Sequence, residues 1–292
     1  MSTGTRILAL TVVGACFVCG CDTASAKEPA VLDARVIRAD VHRELTALPS
    51  LVKWVDFPDT AGAGLAFEAG PQKGTLQAVA GKWPEQRAAH IFYGLLRGDA
   101  IHPPETGFTV AFWLRVRDVE RVDRGGYKRT SGGIMAVGSG YYGGWRLAAS
   151  PDSRGFSLTI GGPNKGVRTV SVHGMLGPKE WHHITCTWDR KTVRIYVDGT
   201  AQTEALVDIA YTMPEKDPTL RIGECSFGLG VLDFDIADLG FFGEVLAPAV
   251  IERLGDPMRI VEDELARRIG TARTLADAAK GRPRRERRVR EA

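Results

Sequence analysis

Alternating apolar and polar residues between positions 108 and 117 constrain the fold of this chain more than any other feature. Every second position carries an apolar side chain: Phe108, Val110, Phe112, Leu114 and Val116. The positions between them carry Thr109, Trp113, Arg115 and Arg117, with Ala111 the exception. A period of two places the two sets on opposite faces of a β-strand. The segment therefore predicts a strand with one face in an apolar core and one largely polar face.

The same kind of pattern recurs in short segments separated by glycine-rich turns. Further strands are predicted at 133–137, 145–149, 156–160, 181–188, 193–197, 220–222 and 234–242. Asp198-Gly199 follows one of them and is typical of a two-residue hairpin turn, because both residues tolerate positive φ. Many strands without helices between them predict an all-β fold, a two-sheet antiparallel sandwich or jelly roll.

The amino terminus predicts export. An apolar run at 7–18 is too short for a comfortable membrane span and fits the core of a signal peptide. It ends in Val18-Cys19-Gly20-Cys21, which resembles a bacterial lipoprotein signal and implies cleavage before Cys21 and a lipid on Cys21. Cleavage near Ala24-Ser25-Ala26 is the alternative and would give an ordinary secreted protein. We expect a cell-envelope protein, lipid-anchored to a membrane and either periplasmic or surface-exposed.

Five segments are predicted along the chain. They are a signal peptide at 1–20, a tether and short helix at 21–49, a jelly-roll domain at 50–254, an amphipathic helix at 255–280 and a disordered Arg-rich tail at 281–292. The formal net charge of +3 is concentrated at the carboxyl end, so the body is close to neutral. This distribution does not indicate a nucleic-acid-binding body, and we expect no nucleic acid among the partners.

Several segments resemble the laminin G-like jelly roll of the concanavalin A-like lectin/glucanase superfamily. They are Phe108-Thr-Val-Ala-Phe-Trp-Leu114, Glu180-Trp-His-His-Ile-Thr-Cys-Thr-Trp-Asp189, Val193-Arg-Ile-Tyr-Val-Asp-Gly199 and Asp235-Ile-Ala-Asp-Leu-Gly-Phe-Phe242. The resemblance extends over about 51–254 and implies two antiparallel sheets, with a short helix after the last strand. Because this fold hosts lectins, adhesion modules, glycosidases and lyases, the resemblance does not fix a function.

Asp233, Asp235 and Asp238 are similar to the E-x-D-x-x-E pattern of glucanases in the same superfamily. A regular strand places Asp233 and Asp235 on one face and Asp238 on the other, and only a β-bulge brings Asp238 round. A retaining glycosidase needs two carboxyls about 5 Å apart. The segment matches the family's final strand and not its catalytic strand. We therefore expect no catalytic residues, with a glycoside hydrolase or other glycan-cleaving enzyme as the alternative.

No cofactor or metal is expected, although related modules often hold Ca²⁺ at the rim of the sandwich. The candidates that remain for such a site are Glu68, Asp235 and Asp238. At two positions where the family supplies ligands, this chain has Ala237 and the segment 67–70. His182 and His183 are adjacent, so on a strand they point to opposite faces and do not form a joint site.

Three aromatic residues in a glycine-rich segment are candidates for ligand binding: Tyr141, Tyr142 and Trp145. Rings that stack on sugar faces would give a lectin-like site, whereas Trp145 could instead open a core strand. The sequence as a whole predicts a non-catalytic module that binds glycan or another envelope protein. A structural assembly component that makes its contact through the helix at 255–280 is a further alternative.

Overall fold

The computed structural model describes most of the jelly-roll region and little outside it. The described residues are 34–57, 64–69, 74–83, 85–104, 106–120, 123–124, 127–128, 132–138, 143–150, 154–177, 179–214, 218–223, 231–256, 270–271 and 274. The predicted lipidation site Cys21, the loop residues Tyr141 and Tyr142 and the tail at 281–292 lie outside these ranges. In the 255–280 segment, Gly270, Thr271 and Thr274 are helical.

Strands dominate the described residues. The α-helices whose bounds are described are α1 (Ala34–Thr46) and α2 (Pro248–Gly255). The strands are β1 (Leu51–Val55), β2 (Ala66–Ala69), β3 (Thr75–Ala80), β4 (Arg87–Phe92), β5 (Gly94–Gly98), β6 (Phe108–Glu120), β7 (Asp123–Arg124), β8 (Tyr127–Lys128), β9 (Gly132–Gly138), β10 (Gly144–Ser150), β11 (Gly155–Gly161), β12 (Val167–Val172), β13 (Trp181–Trp188), β14 (Thr192–Val197), β15 (Thr200–Leu206), β16 (Leu220–Gly223) and β17 (Val231–Phe242). In the part of the chain that is described, no helix is long and apolar enough to cross a membrane.

Two antiparallel sheets form the sandwich. The first sheet has the order β15-β14-β13-β6-β17-β4-β3, and β1 pairs with the second half of β17. The second sheet has the order β12-β11-β10-β9-β16-β5-β2, and β7 and β8 form a separate short pair. This arrangement confirms the predicted all-β jelly roll, and α2 is the short helix that follows its last strand.

The alternation along β6 decides which side chains enter the core. Its residues Phe108, Val110, Phe112, Leu114 and Val116 all belong to the main buried cluster between the sheets. The facing strands of the second sheet contribute Trp145, Leu147, Phe156 and Leu158 to the same cluster. The other face of β6 is turned away from this core. We call it, together with the same side of the neighbouring strands, the outer face of the first sheet.

Hydrogen bonds connect the Asp-Gly hairpin turn to the Trp-His-His segment of β13. Asp198 and Gly199 connect β14 to β15 with φ values of 51° and 76°, as a two-residue turn with two positive φ angles requires. The carboxylate of Asp198 accepts hydrogen bonds from the His182 ring at 2.8 Å and from the His183 amide at 2.8 Å. The predicted hairpin is confirmed, and these contacts give the motif a structural role.

Both helices cover one half of the outer face. A second buried cluster joins the helices to the sheet; its members are Val41, Leu45, Ala111, Tyr196, Phe242, Leu246, Ile251 and Leu254. An ion pair between Glu44 and Arg253 links α1 to α2. We call this part of the outer face the covered half. The remaining part, from Trp113 towards Arg117 along β6, is the open half.

Candidate functional site

A cavity lies at the boundary between the covered and the open half. Its volume is about 410 Å³, within the range of small-molecule and sugar sites. Trp113 and His183 are buried beside it on the sheet, while Trp83 and Gln86 come from the segment before β4. The remaining lining comes from α1, β1, β17 and the end of α2, through His42, Leu45, Trp54, Asp56, Asp238, Arg253 and Leu254, among others. We call this cavity the aromatic trough.

Tryptophan rings form much of the trough. Trp83 and Trp113 meet edge to face, with ring centroids 6.0 Å apart and an interplanar angle of 83°. Trp113 also meets the ring of His183, with centroids 5.2 Å apart. The ammonium of Lys82 lies 5.7 Å from the Trp83 centroid and 5.9 Å from the Trp113 centroid, within the range of cation–π attraction. Trp83 and Trp54 are only partly buried, whereas Trp113 is buried, so the first two rings have surface that can meet a ligand.

Asp238 reaches the trough because β17 contains a bulge. The register of β17 against β6 shifts between Ala237 and Gly240, and Asp238 has a φ of 47°. Positive φ is costly for a residue with a side chain and is often kept where a site needs it. The Asp238 carboxylate accepts a hydrogen bond from the Gln86 amide at 2.5 Å. A carboxylate beside an amide, next to a ring, is a combination that can bind sugar hydroxyls.

Two histidines of the trough have opposite electrostatic surroundings. Burial lowers the pKa of His183 to about 4, with a smaller opposing effect from Asp198, so its ring is neutral at neutral pH. The hydrogen bond to Asp56 raises the pKa of His42 against the effect of burial, and the charges of Asp56 and Asp238 add to the increase. The same hydrogen bond lowers the pKa of Asp56, which also accepts a hydrogen bond from the Trp54 indole at 2.7 Å.

Ion pairs occupy the open half of the outer face. Asp235 is fully buried and contacts two guanidiniums, with Nε of Arg115 at 2.5 Å and Nε of Arg117 at 2.9 Å from its oxygens. Next to it, His90 Nε2 lies 2.6 Å from an oxygen of Asp233. The three aspartates of the glucanase-like pattern thus share one face, but each has a different partner.

The structure corrects one of the sequence-predicted site residues. Trp145 lies in the core of the sandwich, 1% exposed, and its Nε1 donates a hydrogen bond to the Ile101 carbonyl at 2.9 Å. It is not a ligand-binding residue, because no face of its ring is open to a ligand. The first residues of β10 turn this side chain into the core.

The three calcium candidates are not brought together. Glu68 is on β2 of the second sheet and pairs with Arg97 at 3.1 Å, whereas Asp235 and Asp238 are on β17 of the first sheet. Among the residues that the structure describes, no group of three His, Cys, Asp or Glu side chains is arranged to hold a metal ion. His182 and His183 also have separate surroundings: His182 contacts Asp198 and the Gly177 amide, and His183 meets Trp113.

Sequence reasoning missed most of the trough. It placed Trp113 on the outer face of β6 but did not connect it with Trp54, Trp83 or His42, which are 30 to 71 residues away in the chain. The sequence feature that could have indicated the trough is Trp113 itself, a large aromatic residue on the otherwise polar side of an alternating strand. Gln86 carried no signal, since its role depends on the bulge at Asp238.

The fold and the trough together define a two-sheet jelly-roll domain with a cavity on one outer face. The Laminin_G_3 family model, described as the concanavalin A-like lectin/glucanases superfamily, matches residues 95–252. This is more than half of the chain, so the protein belongs to that superfamily. No curated protein matches the chain.

Solved structures share the fold at low sequence identity. The receptor-binding domain of botulinum neurotoxin type G is 14% identical with a TM-score of 0.53, covering 72% of this chain and 51% of that one. The ligand-binding domain of botulinum neurotoxin serotype D, in complex with N-acetylneuraminic acid, is 12% identical with a TM-score of 0.53. The match covers 74% of this chain and 52% of that one. The binding domain of Paraclostridial mosquitocidal protein 1 is 13% identical with a TM-score of 0.52. The match covers 72% of this chain and 52% of that one. The chain spans about half the length of each, and the likeness concerns the fold alone.

Proposed function

We propose that this protein is a lipid-anchored envelope protein whose jelly-roll module binds a glycan in the aromatic trough without cleaving it. The observation that carries the proposal is the bulge in β17, which holds Asp238 at positive φ beside Gln86 and the Trp83–Trp113 pair. Strain of this kind is often found at functional sites. An aromatic ring with adjacent hydrogen-bonding groups suits a sugar, which has both apolar faces and hydroxyls.

The surroundings of the three aspartates support binding without turnover. Asp235 is fully buried between Arg115 and Arg117, so it does not reach a bound sugar. A retaining site needs one carboxyl held protonated beside an ionised one. Here the recorded partner of Asp233 is a histidine and that of Asp238 is an amide, and no contact between two carboxyls is recorded among the described residues.

The neighbouring folds agree with a binding role. The solved structures with this architecture include receptor-binding domains, and one of them was determined with N-acetylneuraminic acid. For this chain, glycan binding is therefore proposed in preference to protein binding.

The test begins with a glycan array on the full-length protein, followed by calorimetric titration of the best neutral glycan. We expect Trp83→Ala and Asp238→Asn to weaken its binding at least about tenfold, equivalent to ~1.4 kcal/mol. Phe67→Ala is the matched control, because it removes a partly exposed ring from β2 of the second sheet. Unchanged affinity in both trough variants would reject the trough as the site.

Anchoring and turnover need separate measurements. Cys21→Ser is expected to release the protein from the membrane fraction, and retention with unchanged processing would contradict lipidation. The same glycans are incubated with the protein and assayed for new reducing ends. Release that is abolished by Asp233→Asn or Asp238→Asn would replace the binding proposal with a glycosidase.

A further inference from the structure

Two arginines near the aromatic trough have partly exposed side chains. Arg115 and Arg117 alternate on β6 and lie on the outer face, with exposed side-chain fractions of 26% and 35%. Both direct Nε at Asp235, whose side chain has no exposed surface. The buried carboxylate therefore holds two cationic side chains side by side at the surface.

Among the described residues, no recorded contact engages the terminal nitrogens of these two arginines. Within the described residues, the recorded contacts of the two guanidiniums are the oxygens of Asp235 and, for Arg115, the ring of Trp181 at 4.8 Å. All the recorded hydrogen bonds come from Nε. The terminal N–H groups form the edge of a guanidinium that binds a carboxylate through two parallel hydrogen bonds.

The charge of this cluster favours an anion. Two guanidiniums meet one buried carboxylate, and the ammonium of Lys82 lies nearby over the Trp83 and Trp113 rings. Asp233, a further acidic group on the open half, is engaged by His90. Arg115 is two residues from Trp113 along β6, a step of roughly 7 Å. A substituent on a sugar next to the one bound in the trough can span this distance.

We propose that Arg115 and Arg117 form a subsite for the carboxylate of a uronic acid residue, so that the glycan bound in the trough is an acidic one. This inference rests on the proposed function and specifies its ligand class. Asp235 is a positioning residue in this subsite, because it fixes both guanidiniums from the buried side without touching the ligand.

The experiment titrates the full-length protein with oligogalacturonate, with alginate oligomers, and with carboxyl-reduced oligomers of the same lengths. We expect at least one acidic oligomer to bind about tenfold or more tightly than its neutral counterpart at low salt. The preference is expected to shrink as NaCl is raised, since exposed charges are screened within ~3 Å at 1 M. A sulfated neutral oligomer shows whether sulfate replaces the carboxylate.

Arg117→Gln is expected to remove the preference for the acidic oligomer and leave binding of the neutral one unchanged. Arg117→Lys retains the charge without the two-nitrogen edge and is expected to lose most of the preference, which covers the case in which the glutamine variant does not fold. Arg194→Gln is the matched control, because Arg194 also lies on the outer face, is 29% exposed and pairs with Glu204.

Three results would overturn the subsite: equal binding of acidic and neutral oligomers, a preference that survives in both Arg117 variants, or no binding of any acidic oligomer. Failure of the proposed function has a different signature. If Trp83→Ala leaves all binding intact while Arg117→Gln weakens the acidic oligomer, the trough is wrong and the arginine subsite stands. If neutral oligomers bind through Trp83 with no acidic preference, the trough stands and the subsite is wrong.

Discussion

The covered and open halves of the outer face are built from the same two strands. On β6 and β17, the covered half presents Ala111 and Phe242, whereas the open half presents Arg115 and Asp235. The core-facing residues of both strands whose side chains the structure describes are apolar. The difference between the halves therefore follows from what each side chain meets. The helices bury the apolar side chains, whereas the arginines keep partial contact with water and pair with the buried Asp235.

The trough lies where the cover ends, and it has features of both halves. Trp113 is as buried as a core residue, but its neighbours His42, Gln86 and Asp238 are polar. A boundary of this kind supplies apolar surface and hydrogen-bonding groups within one cavity. The following predictions test whether the two halves differ as described, beginning with the largest expected effect.

Phe242→Ala is expected to lower the free energy of unfolding by roughly 3–5 kcal/mol, because it leaves a cavity beneath the helices on the covered half. Asp233→Asn is the comparison on the open half of the same strand, where the side chain is 24% exposed. It is expected to cost less than about 1 kcal/mol. Urea unfolding measures both, and similar costs would show that the two halves do not differ in packing.

His183 is expected to make the domain less stable in acid. Its pKa is lowered to about 4 in the folded protein, against an ordinary value of 6.5, so the unfolded chain takes up a proton first. Above pH 6.5 the neutral His183 ring does not lower the free energy of unfolding. As the pH falls from 6.5 to about 4, protonation of the unfolded chain lowers this free energy by up to roughly 3 kcal/mol. The difference between the unfolding curves of wild type and His183→Gln isolates this effect. A difference that is constant with pH would contradict a buried neutral ring.

Gly199→Ala is expected to lower the free energy of unfolding by about 2 kcal/mol, because Gly199 has a positive φ and α2 packs closely against it. A Cβ at this position would lie 3.0 Å from the Glu252 backbone in α2. Gly174→Ala is the control, with a φ of 75° and no atom within 4 Å of the added Cβ, and should cost about 1 kcal/mol. Thermal unfolding compares the two. If the two variants lower the stability equally, close packing of α2 against the turn does not contribute to the effect at Gly199.

His42→Gln is expected to have the smallest effect and the opposite dependence on pH. The folded protein raises the pKa of His42, so its contribution is present below pH 6.5 and is lost as the pH rises through the folded pKa. His42 and Asp56 are 45% and 63% exposed. The variant should therefore lower the free energy of unfolding by less than about 1 kcal/mol at pH 6 and leave it unchanged at pH 9. A loss that persists at pH 9 would assign His42 a packing role only.

Much of the fold could be predicted from local patterns. The alternation from Phe108 to Val116 identified the core face of β6, and Asp198-Gly199 identified the hairpin between β14 and β15. Both signals depend on neighbouring residues alone, because side-chain direction in a strand and positive φ in a turn are local properties. The added role of Asp198, which joins the turn to His182 and His183, was not visible in this way.

The candidate site was decided by tertiary structure. The sequence indicated that Asp238 would join Asp233 and Asp235 only through a bulge, and the structure contains that bulge. The structure also shows that Trp145 lies in the core, although the glycine-rich segment around it suggested a binding loop. The sequence by itself determined which strands form and which faces they bury, because these follow from local alternation. Only the packing of α1, β1 and the segment before β4 against β6 and β17 brought Trp54, Trp83 and Trp113 to one cavity, since contacts between distant residues depend on the whole sandwich.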